Sequence, residues 1–243
     1  MSIYREQLPP EHLMEAVECA WAVVQTGERS TTQRVLPDGC ADIVFTRGAA
    51  SDDLFVVGAM TKFEDFELQP GALVVGIRFR PGMWAAQFGI PCDRITDQRV
   101  ALEDVWGARA RSLRERLRET QSAEGCLAQM AGSVLPLRDP TPIQRAIVWM
   151  EERHGMVSIE EISNQAALSA RQFRRVCLEQ TGLTPKLLSR ILRFRYTLSQ
   201  VGLQVGEHAG LAADCGYYDQ SHFIAEFQRF SGRSPGTHLR SAS

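Results

Sequence analysis

Three arginines, Arg171, Arg174 and Arg175, stand at i, i+3 and i+4 in the stretch SARQFRRVC. On a helix that spacing gathers them into one stripe. A guanidinium is permanently charged, and its fork fits the O6/N7 edge of guanine or the oxygens of a phosphate. Gln172 lies among them and adds an amide. A second stretch, CGYYDQSHFIAEFQRF (215–230), offers different chemistry. Asp219 is an expected N-cap, and Gln220, Ser221 and His222 follow it as an exposed polar start. Phe223, Phe227 and Phe230 recur at i, i+4 and i+7, a spacing that turns them to a core. Gln220 suits adenine, and Ile224 and Ala225 suit thymine methyl groups.

The charge balance supports a polyanion as partner. Residues 1–139 hold 15 Lys+Arg and 20 Asp+Glu, whereas residues 140–243 hold 12 and 9. Within 171–195 there are seven basic residues and one acid, Glu179. Such a local excess attracts nucleic acid whatever the total charge. A solvated surface helix would also carry such a run, so charge alone does not decide.

Other chemistries find little footing. The six cysteines (19, 40, 92, 126, 177 and 215) form no C-x-x-C, and the five histidines are scattered. Neither set has metal-ligand spacing, so no metal and no cofactor are expected. No G-x-S-x-G or H-E-x-x-H occurs. No run of 18 apolar residues suggests a membrane span, and the N-terminus lacks an apolar signal region. Reduced thiols in a cytoplasmic protein are the expectation.

Two helical units are needed to position the candidate residues. Ser169 caps a helix running to about Gln180, with Thr181-Gly182 as its stop. Phe173, Val176 and Cys177 form its inner face. The segments 162–177 and 211–227 share a plan: a helix with small residues, a tight turn, then a helix with a polar start and a buried aromatic. That is the plan of a helix-turn-helix. Between them, 184–203 reads as a long helix with Leu187, Leu188, Ile191, Leu192 and Leu198 inward. Lys186 and Arg190 are phosphate candidates, and Arg193 suits a phosphate or an acid of a neighbouring helix equally.

Before the prolines of LPLRDPTP (135–142), a natural linker, the texture is β-rich. Alternation at 17–23, the apolar runs LFVVGAM and ALVVGIRF, and turns at Pro70-Gly71 predict several strands in a barrel or sandwich. RVLPDGCADIVF reads as a hairpin around Pro37-Asp38-Gly39. MWAAQFG, ARARSLRERLRET and AEGCLAQMAGSVL read as helices flanking it. Asp38, Cys40 and Asp42 with Arg78 and Arg80 suggest a polar ring for a ligand, but turn chemistry and a structural Cys40 account for them better. For Trp21, Trp84 and Trp106 core packing is expected. The fold class is therefore α+β: a β-rich, barrel-like domain with flanking helices at 1–139, then an all-α domain with two helix-turn-helix units at 140–243.

The pattern G-Y-Y-D-Q-S-H-F-x-x-x-F-x-R-x-x-G-x-S-P (216–235), with S-A-R-Q-F-R-R-V, G-L-T-P and R-x-x-R-F upstream, resembles AraC/XylS-type transcription regulators. The resemblance covers about 157–240. It implies a seven-helix domain reading successive major-groove segments of double-stranded DNA, a small-molecule effector, a homodimer and RNA polymerase as partners, and a family that includes activators. YREQLPP, RVLPDGCADIVF, VVGAMT and GIRFRPG, across 4–107, resemble an uncharacterised sensor-type domain joined to such regulators. Some relatives are fused to a cysteine-dependent DNA-repair enzyme, the alternative reading. Four departures stand out: Ala167 where a turn glycine is usual, Ser163 for a small apolar residue, Gly206 and Gly210 before the second turn, and Ala225-Glu226 where a basic residue is common.

Overall fold

The computed structural model describes residues 2–48, 52–136, 139–201 and 208–242. The N-terminal half is built on eight strands: β1 (Ser2–Gln7), β2 (Val17–Gln25), β3 (Thr31–Val35), β4 (Ala41–Arg47), β5 (Asp52–Val57), β6 (Glu64–Leu68), β7 (Leu73–Phe79) and β8 (Arg99–Ala101). Six form an antiparallel sheet in the order β1-β2-β7-β4-β5-β8, and β3 pairs with β6 as a separate ribbon. The sheet stays open, with β1 and β8 as its edges, so the expected barrel is not closed. The expected hairpin around Pro37-Asp38-Gly39 is also corrected. Its two strands belong to different sheets, and the turn is a crossing point with Gly39 at φ 82°.

Strand alternation decides which face is covered. Ile43, Phe45, Val75, Ile77 and Phe79 are buried on one face, under Leu113 and Leu117 of α3 (Ala108–Glu119) and Leu127 and Met130 of α4 (Ala123–Ala131). The short helices α1 (Ala85–Phe88) and α2 (Leu102–Trp106) complete this layer. Trp84 is in the core with Phe88, and Trp106 stacks on Phe88 at 5.0 Å. Trp21 faces the other way. It lies across Gly76, where any Cβ would collide with the indole, and its Nε1 donates to Asp42 Oδ1 at 2.7 Å.

The C-terminal half is helical: α5 (Pro142–Glu152), α6 (Ile159–Gln165), α7 (Ala170–Thr181), α8 (Pro185–Val201), α9 (His208–Asp214), α10 (Gln220–Ser231) and α11 (Pro235–Ala242). Seven helices among the described residues match the expected number. Thr141, Ser158 and Ser169 each form a capping box with the residue three further on, which explains the three sharp starts. A second core gathers Ile147, Ile162, Phe173, Cys177, Leu188, Ile191, Phe194, Phe223, Phe227 and Phe230. Each buried Phe contributes roughly 1.5–3 kcal/mol of transfer free energy. Gly206 lies outside the described residues, as does part of the 135–142 linker.

Candidate nucleic-acid interface

Helix α7 presents what its sequence promised. Ser169 Oγ accepts from Gln172 N, and Gly182 ends the helix in the left-handed conformation. Phe173 and Cys177 are buried, while Arg171, Gln172, Arg174 and Arg175 are exposed on the outer side. Arg175 is tied to Glu179 one turn on, Nη1 to Oε1 at 2.7 Å. Arg171 and Arg174 have no acid partner among the described residues. Gln172 is partly spent, since its Oε1 accepts from Ser169 N and Oγ. It can donate outward, but the two-point pairing that adenine needs is not free.

The turn before α7 holds Ala167 at φ 54°, a conformation that favours glycine. Leu168 N closes it onto Ser163 O at 3.0 Å. Ser163 is buried because its hydroxyl donates to Ile159 O at 2.6 Å. The second unit uses Gly216 at the matching place, with Tyr217 N on Ala212 O at 2.9 Å. From there to the next cap it has one more residue, Tyr218, which is 91% exposed.

Helix α10 divides its polar start between structure and surface. Asp219 Oδ1 accepts from His222 N at 2.7 Å, and His222 Nδ1 accepts from Tyr218 N at 3.3 Å. That assigns the proton of a neutral His222, an exposed residue, to Nε2, which is left as a donor. Gln220, Ser221, Ile224 and Ala225 are exposed. Phe223, Phe227 and Phe230 are fully buried, and Phe194 of α8 packs on the latter two at 5.4 and 5.3 Å.

Helix α8 sorts its cations. Lys186 is exposed, as a phosphate contact requires. Arg190 is placed otherwise: Nε and Nη2 each lie 2.6 Å from an oxygen of Glu226 on α10. The pair favours its charged forms. Hydrogen bonding to Glu226 lifts Arg190 above its usual range, and although burial pushes Glu226 up, Arg190 holds it below. Glu226 was the residue that the sequence left unexplained. Nothing short of the packing of α8 on α10 could have revealed its role. Arg193 lies 5.7 Å over the Tyr217 ring and has no acid partner among the described residues. Arg195 turns away from this face altogether. It pairs with Glu18 and Glu151 and donates to Asp38 O at 3.2 Å.

Of the seven cations in 171–195, Arg171, Arg174, Lys186 and Arg193 thus remain without an acid partner among the described residues. All four belong to α7 or to the helix that follows it. The amino-terminal turns of the second unit's α10 offer hydrogen-bonding and apolar groups instead, and Arg190, beside that helix on α8, is paired with Glu226.

Residues 162–241 match a family described as a helix-turn-helix domain. These residues are the helix-turn-helix part of the chain. Residues 5–101 match a domain of unknown function, DUF6597. The chain is similar to the HTH-type transcriptional activator RhaS of Escherichia fergusonii, with 33% identity over 97 residues, and to RhaS of Klebsiella pneumoniae, with 31%. Both matches span 38% of this chain and 34% of the relative, about a third of the curated relatives' length. Among solved structures, the DNA-binding domain of AdpA in complex with a target DNA matches 42% of this chain and 92% of its own, with 22% identity and a TM-score of 0.39. ToxT from Vibrio cholerae O395, bound to a naphthalenyl butenoic acid, matches 100% and 99% with 10% identity and a TM-score of 0.46.

The described residues contain no group of three His, Cys, Asp or Glu side chains placed to hold a metal ion, and no helix long and apolar enough to cross a membrane. All six thiols are buried and unpaired. No observation favours the cysteine-dependent repair enzyme.

Proposed function

We propose that the chain is a sequence-specific transcription regulator that binds double-stranded DNA through two helix-turn-helix units. The observation that carries this is the outer face of α7. Arg171 and Arg174 stand exposed on a capped helix anchored by Phe173 and Cys177, with Lys186 at the start of the next helix. In this reading Arg171, Arg174 and Arg175 read bases or grip phosphates, Gln172 donates one hydrogen bond, and Lys186 contacts phosphate. Gln220, Ser221 and the Nε2 of His222 are the second unit's contacts. Arg190 is withdrawn from the phosphate set.

The proposed division is 1–139 for effector sensing or subunit pairing and 140–243 for DNA. A small-molecule effector, a second copy of the chain and RNA polymerase are the proposed partners. The protein is not an enzyme in this reading and works in the cytoplasm. The test is a titration of purified protein against duplexes from its own upstream region and against random duplexes, at two salt concentrations. Sequence-dependent binding with a steep salt slope is expected. Binding that does not distinguish the two duplexes at either salt rejects the proposal.

A further inference from the structure

We infer that Arg34 and Phe63, both in the N-terminal half, are positioning residues for DNA reading. They hold the second recognition helix by its far end and fix the separation at which the two units meet the duplex. This rests on the DNA-binding function proposed above.

The two recognition helices are each 12 residues long and end alike. Thr181 Oγ1 donates to Cys177 O at 2.8 Å and accepts from Leu183 N at 3.1 Å. Ser231 Oγ donates to Phe227 O at 2.7 Å and accepts from Arg233 N at 3.2 Å. Gly182 and Gly232 follow at φ 75° and 69°. Each end therefore offers bare backbone and the carbonyl pole of a helix.

A different segment of the N-terminal half meets each end. On α7, Thr96 Oγ1 donates to Gly182 O at 2.8 Å and Cys92 Sγ to Gln180 O at 2.7 Å. A Cβ on Gly182 would lie 3.0 Å from Cys92 O. On α10 the grip comes from the β3–β6 ribbon and the residue ahead of it. Arg34 Nη1 donates to Ser231 O at 3.0 Å, and a Cβ on Gly232 would lie 2.5 Å from Phe63 Cζ and 2.9 Å from Arg34 Nη1. The Arg34 guanidinium has little freedom of its own. Its Nε and Nη2 fork onto Asp65 at 2.7 and 2.6 Å, and it sits 4.3 Å over the Phe63 ring.

Twelve helical residues span roughly 18 Å. Gripping the carboxyl ends thus leaves the amino-terminal turns of both helices, with Arg171 and Gln220, free to enter a groove. Two reading units on one rigid support bind with a high effective concentration at one separation only. Loosening one support lowers the gain and widens the range of separations accepted.

Full-length wild type, Arg34→Ala, Phe63→Ala and Arg34→Lys are each equilibrated with random-sequence duplexes, and the bound fraction is sequenced. Wild type should enrich two sequence segments at a single separation. Arg34→Ala and Phe63→Ala should bind a duplex carrying the first segment alone as wild type does. On the two-segment duplex they should be about tenfold weaker, and they should accept an inserted base pair that wild type rejects. Arg34→Lys, which keeps the charge at the helix end without the fork onto Asp65, should recover part of the loss. If both alanine variants reject the insertion as sharply as wild type, the inference fails. It also fails if both lose the single-segment duplex, since the residues then serve the fold as a whole, or if wild type enriches one segment only. Enrichment of no duplex by wild type overturns the DNA-binding function itself, and the inference with it.

Discussion

Arg190 and Glu226 close a two-point fork between helices α8 and α10, their side chains 22% and 13% exposed. The sequence placed Arg190 on phosphate and left Glu226 as an oddity. Together they are a brace, and a consequence for DNA follows. Glu226→Ala should release a cation beside the second unit. The expected result is a fold weakened by about 1.5–3 kcal/mol and a salt slope steeper by about one. Urea midpoints and titrations at several salt concentrations measure the two effects. An unchanged slope would show that Arg190 has no phosphate within reach.

Arg174 and Lys186 should separate base reading from phosphate binding. Arg174→Ala is expected to relax preference at one base position, with a loss of about 1–3 kcal/mol on the preferred duplex only. Lys186→Ala should weaken every duplex alike and make the salt slope shallower by about one. Arg175→Ala is expected to cost binding and relax preference at one base as well, and to surrender an exposed pair worth only about 0.3–0.5 kcal/mol to the fold. A competition assay with single-base substitutions distinguishes the three. Equal losses on all duplexes for Arg174→Ala and Arg175→Ala would assign both to phosphate.

Ala167 occupies a left-handed turn at φ 54° without being glycine. Ala167→Gly should therefore raise stability by about 0.5–1 kcal/mol, relief of strain exceeding the added chain entropy. The reciprocal change in the second unit should do harm. A Cβ on Gly216 meets Met156 Sδ at 2.8 Å as well as its own φ of 71°. Thermal melts of the two variants should move in opposite directions, and a fall in both would mean that Ala167 packs usefully.

Asp42 gives a signed pH dependence. Burial, reinforced by Asp38 and Glu18, pushes its carboxyl up to about 6, against Arg78 and the Trp21 hydrogen bond. An unfolded aspartate titrates near pH ~4. The folded state thus holds the proton more tightly. The stability from the neutral form is complete below pH ~4 and is lost as pH rises through about 6. Asn at this position can still accept from Trp21. Asp42→Asn should match wild type in acid, gain on it between those limits and keep the gain at neutral pH. Denaturant midpoints across that range check this, and parallel curves for the two proteins would refute it.

Local signals were the legible ones. Ser169, Asp219, Gly182 and the spacing of Phe223, Phe227 and Phe230 depend on neighbours within a turn or two, so the sequence carried them directly. Strand β2 was visible through its alternation at 17–23, although both of its faces prove largely buried, and β5 and β7 were visible as mostly apolar runs. The edge strand β1, exposed along most of its length, gave no such pattern. The false hairpin at Pro37-Asp38-Gly39 shows the limit from the other side. The turn residues were read correctly, and Cys40 N does donate to the Asp38 carboxylate at 2.9 Å. The pairing of the flanking strands is a long-range matter that a turn cannot settle. The same holds for the arginines. Their exposure followed from helical period, but which acid each one finds depends on packing between elements 36 or 177 residues apart, as with Arg190 and Arg195.

Arg195 also bears on where the molecule can be cut. Its charge is balanced by Glu18 and the Asp38 carbonyl across the linker, and by Glu151 on its own side. Close by, the backbone of Gly39 sits on Leu188 and Ile191, and that of Gly82 on Ile147. Contacts across the boundary drawn by sequence predict one cooperative unit, and calorimetry of the whole chain should record a single transition. A fragment beginning at residue 140 would carry the sequence of a DNA-binding domain and the surface of half a protein.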